Sequence, residues 1–320
     1  MSGTVIIIDG GTTNTRLALV RDGKTLCRTK LACGAGDTAR LGSNRMLAES
    51  VKNAIGALTA EAGIELTALD GIYASGMIGS ELGLHAVPHI PTPAGLKELA
   101  QGCETVLLPA VSPVPITFVP GVKSDSRLPD ECDLMRGEEV EALGIRALCG
   151  EKDAFVLLLP GTHNKIIFLD ADGRIERFCT AMSGELTRCI CEHTILREAL
   201  DGGYTKTPDR AFLLKGYDLC ETYGFTAALF KIRVFSKQMT LAAAQLYSML
   251  VGMVLHEDVK LTLSFGGTAH VRVAGSEPFR SALGILFAER TAVDAAVTAD
   301  ELVEESTLCG TSALIETLRF

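Results

Sequence analysis

The feature that most constrains this chain is a glycine–threonine turn that occurs twice, 150 positions apart. The first turn (residues 11–14) reads Gly-Thr-Thr-Asn, and the second turn (residues 161–164) reads Gly-Thr-His-Asn. Each follows a short apolar run and precedes a second apolar run that ends in an Asp-Gly pair. Asp-Gly between apolar runs is a strong hairpin signal. The sequence therefore predicts two similar units, each opening with three strands joined by tight turns.

The residue types in both turns suit the binding of phosphate. Glycine lets main-chain N–H groups approach an anion closely, and Thr and Asn side chains can donate hydrogen bonds to it. One such turn is weak support, and the repetition at constant spacing is what makes the prediction specific. The expected phosphate ligands are Gly11, Thr12, Thr13, Asn14, Gly161, Thr162 and Lys165.

Length and charge limit the classes of partner. A chain of 320 residues is long enough for two domains of roughly 150 residues each. A hydrophobic fraction of 47% with 22% charged residues is ordinary for a globular protein. The net charge of −9 without a basic cluster argues against nucleic acid and anionic membranes, which both require clustered Lys and Arg. We expect a small-molecule partner; the oligomeric state stays open, with a homodimer as one option.

The cysteines and the N-terminus predict a location in the cell. The ten cysteines contain no CxxC pair, which favours free thiols in a reducing compartment over a disulfide framework or a zinc site. The N-terminus lacks a basic segment followed by a long apolar run and a cleavage pattern. The longest apolar stretch, residues 241–255, is shorter than the roughly 20 residues of a membrane span. We therefore expect a soluble cytoplasmic protein.

Periodicity and turn residues give a provisional map of the chain. We expect an N-terminal domain over residues 1–125 and a C-terminal domain over residues 126–320, with a hinge in the Pro- and Gly-containing segment 120–132. Residues 204–237 show no readable pattern. Predicted strands outside the two hairpin units cover residues 69–74, 114–119, 259–265 and 292–297. Predicted helices cover about 43–62, 96–100, 135–148, 239–256 and 277–287, with one reaching residue 200 and one ending near 318.

Asp9 is the candidate metal ligand. It stands at the C-terminal end of the first apolar strand, directly before the first turn, where it should face a crevice. Because Mg²⁺ keeps much of its hydration shell and uses few carboxylates, Asp9 would hold it through water. The alternative is that Asp9 only caps its own turn, as Asp commonly does.

Five stretches carry a resemblance to a known family. An early Asp-Gly-Gly-Thr-Thr turn, a second Gly-Thr turn and a late Gly-Gly resemble the superfamily of acetate and sugar kinases, heat-shock ATPases and actin. Within it, the stretches 9–14, 76–80, 135–139, 159–165 and 182–186 resemble the 2-dehydro-3-deoxygalactonokinase family. Met-Arg-Gly-Glu-Glu and Leu-Pro-Gly-Thr-His are the most distinctive. The chain departs from the family at Gly10, where members usually have Trp, and over residues 81–84.

This resemblance implies a fold and a nucleotide site. The fold would be α/β, with two similar actin-like (ribonuclease H-like) lobes and an ATP cleft between them. Gly266 and Gly267, at the end of the predicted strand 259–265, would contact adenosine. The alternative there is an ordinary strand-to-helix turn. Met77 and Ser80, in a small-residue loop at a strand end, would contact the substrate.

The resemblance also implies a catalytic base. Related sugar kinases place a carboxylate after a glycine at a helix start, and Gly137-Glu138 fits that position. We expect Glu138 to be the general base, with Glu139 as the second choice. The alternative is that both residues only stabilise the helix N-terminus through its dipole. Arg136 is the candidate for binding a substrate carboxylate, whereas Arg16 should extend into solvent.

The implied activity is ATP- and Mg²⁺-dependent phosphorylation of a 2-keto-3-deoxy sugar acid at its terminal hydroxyl, in galactonate catabolism. Two alternatives remain at this point. One is a kinase for another small metabolite, such as an aldose or pantothenate. The other is an actin-like ATPase that hydrolyses ATP to change shape.

Overall fold

The structure, a computed structural model, describes residues 3–126, 128–266 and 270–319. The chain forms two units: the first comprises Met1–Lys152, Gly173–Glu176 and Glu304–Phe320, and the second comprises Asp153–Asp172 and Arg177–Val303. The predicted boundary at residues 125 and 126 does not coincide with a boundary between these units. The helix that begins at Glu138 lies in the first unit, not in a second domain.

The bounds of the regular elements follow in chain order. The strands are β1 (Thr4–Gly10), β2 (Thr15–Arg21), β3 (Lys24–Leu31), β4 (Gly71–Gly76), β5 (Ile90–Pro91), β6 (Glu104–Val106), β7 (Ile116–Phe118), β8 (Val122–Lys123), β9 (Leu134–Met135), β10 (Phe155–Leu159), β11 (Asn164–Leu169), β12 (Ile175–Ala181), β13 (Val271–Val273) and β14 (Ala295–Val297). The α-helices are α1 (Ala35–Leu41), α2 (Arg45–Glu61), α3 (Leu96–Gly102), α4 (Glu138–Cys149), α5 (Ser183–His193), α6 (Arg197–Leu200), α7 (Arg210–Tyr223), α8 (Phe225–Gln238), α9 (Ala243–Gly266), α10 (Phe279–Arg290) and α11 (Asp300–Leu318).

The two main sheets have the same internal order, which confirms the predicted repeat. One has the strand order β3-β2-β1-β4-β7-β6, and the other has the order β12-β11-β10-β13-β14. In each, the first strand pairs antiparallel with the next one and parallel with a strand from later in the chain. A third, small sheet has the order β5-β8-β9. The carboxyl ends of β1 and β4 are therefore adjacent, where open α/β sheets place their ligands.

Strand β1 is apolar from Val5 to Ile8 because helices cover both of its faces. Ile6 and Ile8 pack in the cluster that contains Leu47 of α2, whereas Ile7 packs in the cluster that contains Ile315 of α11. Side chains alternate along a strand. Asp9 therefore continues the face of Ile7, the face that α11 covers.

One predicted strand is wrong. Residues 259–265 belong to the long helix α9, which continues to Gly266. Val259 and Thr262 are buried whereas Leu261 and Ser264 are exposed, a helical spacing. A short apolar run fits a strand or a buried helix equally well, and here the preceding helix simply continues. Gly266 thus ends a helix rather than a strand; Gly267 and Thr268 lie outside the described residues.

Two further regions correct the provisional map. The helix expected to reach residue 200 stops at His193, and a separate short helix covers Arg197–Leu200. The unreadable segment 204–237 contains α7 and α8, which meet at Gly224 with a φ of 76°. Asp209 caps α7 by accepting from the N–H groups of the second and third helical residues.

Within residues 3–126, 128–266 and 270–319, none of the helices combines the length and apolar character that a bilayer span requires.

Candidate active site

The first turn is held by the N-terminus of α1. The N–H of Gly11 donates to the carbonyl of Asn14 at 2.8 Å, and the N–H groups of Ala35 and Gly36 donate to the carbonyls of Gly11 and Thr12. A Cβ at Gly34 would lie 2.5 Å from both of those carbonyl oxygens, so only glycine permits this approach.

The second turn is held in the same way by the N-terminus of α5. The N–H of Glu185 donates to the carbonyl of Thr162 at 2.8 Å, and a Cβ at Gly184 would lie 2.0 Å from the carbonyl oxygen of Gly161. Gly34 and Gly184 are 150 positions apart, like the turns themselves. The sequence analysis missed this pair, although its spacing is the signal that could have found it.

Each turn presents two consecutive N–H groups without a partner among the described residues. These belong to Thr12 and Thr13 in the first turn and to Thr162 and His163 in the second, and all four residues are exposed. Consecutive free N–H groups in a turn form a concave anion site. The geometry of both turns is therefore suited to phosphate oxygens, in agreement with the residue types.

Lys165 does not extend freely beside the second turn. It is 5% exposed, and its Nζ donates to Thr180 Oγ1 at 2.6 Å, one strand away. Its predicted contact with phosphate stays a prediction, and the structure adds a role in joining β11 to β12.

Asp9 lies at the end of β1, opposite Ser75 of β4 in the parallel register. Its Oδ2 accepts a hydrogen bond from Arg16 Nη1 at 3.0 Å. Arg16 was expected to extend into solvent; it is 63% exposed but pairs with Asp9. Burial raises the pKa of the Asp9 carboxyl, and the charge of Arg16 opposes this shift. The hydroxyl of Ser75 is buried, and none of the described residues forms a hydrogen bond with it.

The loop after β4 brings the candidate substrate residues beside α4. Met77–Gly79 form a 3-10 turn, and Ser80 Oγ donates back to the carbonyl of Met77 at 2.7 Å. A Cβ at Gly137, the residue before α4, would lie 3.2 Å from the Cα of Gly76. Gly137 has a φ of 112°, which favours glycine. This close contact places the loop 76–80 next to the start of α4.

The two glutamates at the start of α4 have different environments. Both carboxylate oxygens of Glu139 accept from the N–H of Gly137, at 2.9 and 2.7 Å, and its side chain is fully buried. Burial first, and then the charge of Glu138, raise the pKa of Glu139 to about 8. Glu138 is half-buried, and its Oε2 accepts from the N–H of Arg136 at 3.1 Å. Glu139 therefore accepts from the N–H group that precedes α4, and Glu138 is the more accessible carboxylate.

Glu141 is a further carboxylate that the sequence analysis missed. Burial raises its pKa to about 8, and the charges of Glu138 and Asp9 contribute to that shift. Glu141 follows Glu138 by three residues, so both lie on one side of α4. That spacing is the signal that could have found it. The shift also indicates that Asp9 lies near Glu141, although the two positions are far apart in the sequence.

Arg136 carries a buried guanidinium with an unused donor. Nη2 donates to the carbonyl of Val87 at 2.6 Å and lies 3.3 Å from His89 Nδ1, while Nη1 is buried and has no hydrogen-bond partner within the described part of the chain. Burial and the charge of Arg136 lower the pKa of His89 to about 4, so this ring is neutral at pH 7. A Cβ at Gly79 would lie 3.3 Å from Nη1. An anion beside Gly79 would complete the hydrogen bonding of Arg136.

Among the described residues, no group of three or more His, Cys, Asp and Glu side chains is arranged to hold a metal ion by itself. Asp9 nevertheless fits Mg²⁺ held through water, because this ion often takes one or two protein carboxylates and keeps several waters. One oxygen of Asp9 accepts from Arg16, and the other accepts no hydrogen bond from the residues that the structure describes.

The second unit contains a cavity of about 830 Å³ beside the second turn. Its wall includes Gly161 and Thr162 of the turn, Gly184 of α5, and the two aromatic residues Tyr204 and Tyr247. The tyrosine rings meet edge to face at 5.8 Å, and Tyr204 is 61% exposed. Gly266, the expected adenosine contact, is not part of the described wall. The cavity is large enough for a nucleoside-sized ligand.

Comparisons with solved structures confirm the fold class. A Sinorhizobium meliloti protein assigned as a 2-dehydro-3-deoxygalactonokinase superposes with a TM-score of 0.80 and 26% identity, over 98% of this chain and 99% of that one. An activator of 2-hydroxyisocaproyl-CoA dehydratase from Clostridium difficile shares the fold with a TM-score of 0.51 and 11% identity, over 99% and 96% of the two chains. The fold is that of the actin-like ATPases and sugar kinases.

Sequence comparisons identify the family. Residues 9–309 match the model of the family described as 2-keto-3-deoxy-galactonokinase. A Rhizobium meliloti protein named as a probable 2-dehydro-3-deoxygalactonokinase is 31% identical over 281 residues, which cover 86% of this chain and 81% of the relative. The 2-dehydro-3-deoxygalactonokinase of Escherichia coli is 26% identical over 262 residues, 81% of this chain and 80% of the relative. The chain therefore belongs to the 2-keto-3-deoxy-galactonokinase family.

Proposed function

We propose that this kinase transfers the γ-phosphoryl group of ATP to the terminal hydroxyl of 2-dehydro-3-deoxy-D-galactonate, giving the 6-phosphate in galactonate catabolism. The family match and the names of both relatives support the substrate. The structural observation that carries the proposal is the start of α4, where the accessible carboxylate of Glu138 stands two residues from the unsatisfied guanidinium of Arg136. A sugar acid has both groups that this pair requires, a hydroxyl and a carboxylate.

Arg136 would bind the carboxylate of the acceptor. Its free Nη1 points to the space that a side chain at residue 79 would otherwise fill. The neighbouring His89 is neutral at pH 7 because its pKa is about 4, so it adds no second positive charge beside Arg136. A guanidinium binds a carboxylate through strong, directional hydrogen bonds. Met77 and Ser80, in the adjacent loop, would contact the sugar chain.

Glu138 would act as the general base. As the terminal oxygen of the acceptor forms a bond to the γ-phosphorus and the bond from that phosphorus to the bridging oxygen of ADP breaks, the hydroxyl proton passes to Glu138. Glu139 is unsuited to this step, because both its oxygens accept from Gly137 N–H and its side chain is fully buried. The N–H of Arg136 positions Glu138 by donating to its Oε2 at 3.1 Å.

The turns would hold the polyphosphate. The free N–H groups of Thr12 and Thr13 in the first unit, and of Thr162 and His163 in the second, are the donors. Gly11, Asn14 and Gly161 shape these turns. The N–H of Gly11 donates to the carbonyl of Asn14, and the N–H of Gly161 donates to Asn164 Oδ1. Mg²⁺, held through water at Asp9, would neutralise the charge that develops on the phosphates.

The nucleoside of ATP would occupy the cavity in the second unit. That cavity starts at the second turn and contains an exposed aromatic side chain, Tyr204, against which adenine can stack. The expected adenosine contact at Gly266 and Gly267 stays a prediction, since Gly266 is not part of the described wall and Gly267 lies outside the described residues. The ten free cysteines support a reducing compartment, and so we place the reaction in the cytoplasm.

The experiment that tests the proposal measures ADP release from Mg-ATP with a panel of acceptors: 2-keto-3-deoxy sugar acids, aldoses, pantothenate and none. We expect turnover with 2-dehydro-3-deoxy-D-galactonate. Glu138→Gln should lower kcat by about 10²–10⁴-fold, the usual contribution of a general base. Glu49→Gln, a surface change on α2, is the control and should leave turnover unchanged.

Other outcomes would contradict the proposal in different ways. Turnover confined to an aldose or to pantothenate would contradict the sugar acid while keeping a small-molecule kinase. ADP release that is independent of any acceptor would favour an actin-like ATPase switch. Full activity of Glu138→Gln would exclude Glu138 as the base.

A further inference from the structure

Asp258 is a buried carboxylate on α9 that the reaction as described does not use. It is 1% exposed, and its two oxygens have different partners. Oδ2 accepts from Asn164 Nδ2 at 2.8 Å, and Oδ1 accepts from Ser183 Oγ at 2.8 Å. Asn164 and Ser183 are themselves buried, at 0% and 5% exposure. These three side chains form a small polar network inside an apolar unit.

Both hydrogen-bond partners of Asp258, Asn164 and Ser183, connect it to the second turn. Asn164 Oδ1 accepts from the N–H of Gly161 at 2.9 Å, so the amide of Asn164 spans the turn from its last residue to its first. Ser183 is the first residue of α5, and the next two residues contact the turn: Gly184 packs on Gly161, and Glu185 donates to Thr162. Asp258 therefore connects to both supports of the turn at once.

The carboxylate also decides the orientation of the Asn164 amide. Because Oδ1 accepts from Gly161, the NH₂ group must face a buried acceptor, and Asp258 supplies it. A reversed amide would direct NH₂ against the N–H of Gly161 and leave that donor unsatisfied. Without Asp258, the amide of Asn164 loses the acceptor that fixes its orientation, and the turn loses a support for its present shape.

Stability alone is a poor explanation for a carboxylate in this position. Asp258 has no ion-pair partner among the described residues, and both its hydrogen-bond donors are neutral groups. Burial raises its pKa to about 6. A buried carboxylate without a cation is costly to the folded state, which favours a role beyond stability for the two hydrogen bonds that Asp258 accepts.

We propose that Asp258 is a positioning residue for nucleotide binding: through Asn164 and Ser183 it holds the second turn in the shape that exposes the N–H groups of Thr162 and His163 to a polyphosphate. This inference rests on the proposed use of ATP. It predicts that loss of Asp258 weakens binding of the nucleotide and leaves binding of the sugar acid unchanged, since the acceptor residues lie in the first unit.

The test compares four variants by calorimetric titration with Mg-ADP and by steady-state kinetics. Asp258→Ala should raise the Kd for Mg-ADP and the KM for ATP by about tenfold or more, the effect of losing hydrogen bonds to a charged group. Ser183→Ala should raise the Kd for Mg-ADP and the KM for ATP by a smaller factor, because it removes one of the two hydrogen bonds to Asp258. Asp258→Asn should stay within about threefold of wild type, because an amide can accept from Asn164 and donate to Ser183.

Thr262→Val is the matched control. Thr262 lies one turn further along α9 and is equally buried, at 1% exposure. Its hydroxyl donates a hydrogen bond to the carbonyl of Asp258 within its own helix. It should lower thermal stability without changing the Kd for Mg-ADP. If Asp258→Ala does not fold, the comparison of Ser183→Ala with Thr262→Val decides the question.

Two results would overturn the inference. Unchanged nucleotide affinity in both Asp258→Ala and Ser183→Ala would show that the network only stabilises the unit. An equal rise in KM for ATP and for the sugar acid would show a general loss of structure. Wild-type protein that fails to bind Mg-ADP would instead overturn the proposed use of ATP itself.

Discussion

The two Gly-Thr turns share their main-chain support and differ in their side-chain support. In both, a glycine 23 residues after the turn glycine lets a helix N-terminus dock against the turn: Gly34 for the first and Gly184 for the second. The first turn closes on itself through a main-chain bond from Gly11 to Asn14. The second closes through the side chain of Asn164, which a buried carboxylate orients.

The carboxylates of the two turns also stand in different places. In the first unit Asp9 lies at the end of the strand that leads into the turn, whereas the corresponding residue of the second unit is Leu159. The second unit instead has Asp258 behind its turn. This difference teaches that the repeat duplicated a way of presenting N–H groups, while the carboxylate at the end of the leading strand is present in the first copy and is replaced by Leu159 in the second.

The largest expected effect comes from making one chemical change beside each turn. Asp9→Asn should lower kcat about 100-fold or more, because an uncharged amide holds hydrated Mg²⁺ poorly. Asp258→Asn should leave kcat within about threefold, because its hydrogen bonds survive. Steady-state kinetics at saturating ATP and sugar acid measure both. Equal losses would contradict the division of roles between the turns.

The next effect assigns acceptor binding to the first unit. Arg136→Met should raise the KM for the sugar acid by about 10- to 100-fold, because hydrogen bonds to a charged group contribute about 1.5–3 kcal/mol. The KM for ATP should change little. Arg45→Met, on the exposed surface of α2, is the control and should change neither constant. A rise in the KM for ATP alone would move Arg136 to the nucleotide.

A smaller effect tests the shared main-chain support. Gly184→Ala and Gly34→Ala should each destabilise the protein by about 1–3 kcal/mol, because the added Cβ meets carbonyl oxygens. The change at Gly184 should be the larger, since its Cβ would approach to 2.0 Å rather than 2.5 Å. Urea unfolding measures both.

Gly56→Ala is the control for these substitutions. Gly56 lies inside α2 with open space around it, so alanine should stabilise the protein by about 0.5–1 kcal/mol. If all three substitutions behaved alike, close packing of the turns would not explain the two glycines.

A further expected difference between the units is their pH dependence. Burial raises the pKa of Glu139 to about 8 from its usual 4.5, so the folded state binds a proton more tightly than the unfolded state. The contribution of Glu139 to stability therefore falls as pH rises between those values, by at most about 1.4 kcal/mol per pH unit. Glu139→Gln should reduce the slope of the free energy of unfolding between pH 5 and pH 8, while Glu141, whose pKa is also raised to about 8, should retain part of that slope.

Asp258 gives the corresponding dependence in the second unit over a lower range. Its pKa is raised by burial from 3.8 to about 6, so stability from this group falls as pH rises between those values. Asp258→Asn should reduce the slope of the free energy of unfolding against pH below pH 6 and leave that slope unchanged above pH 6. Urea titrations from pH 4 to pH 8 separate the two substitutions; identical profiles would contradict both assignments.

Several features were predictable because their signals are local. The repeated hairpins, α2 and the strand before the loop 76–80 follow from residue periodicity and from Gly, Asn and Asp in turns. The glutamates at the start of α4 were also found, but not the difference between them. That difference depends on Gly137, whose φ of 112° aims its N–H at Glu139.

Other features were not predictable because they join distant parts of the chain. Asn164 and Asp258 are 94 positions apart, and Asp9 influences Glu141 across an even longer separation. Arg136 reaches Val87, 49 positions away. The strand expected over residues 259–265 was wrong because an apolar run of this length suits either kind of element.

The sequence by itself determined the duplication, the two phosphate-type turns and the membership of the family, because these depend on residue types at short and constant spacings. Only the tertiary structure decided which glutamate stays accessible, how Arg136 keeps a free donor, and which carboxylate supports the second turn. The physical reason is that burial and hydrogen-bond geometry set the chemistry of a polar side chain, and both arise from residues that the fold brings together from far along the chain.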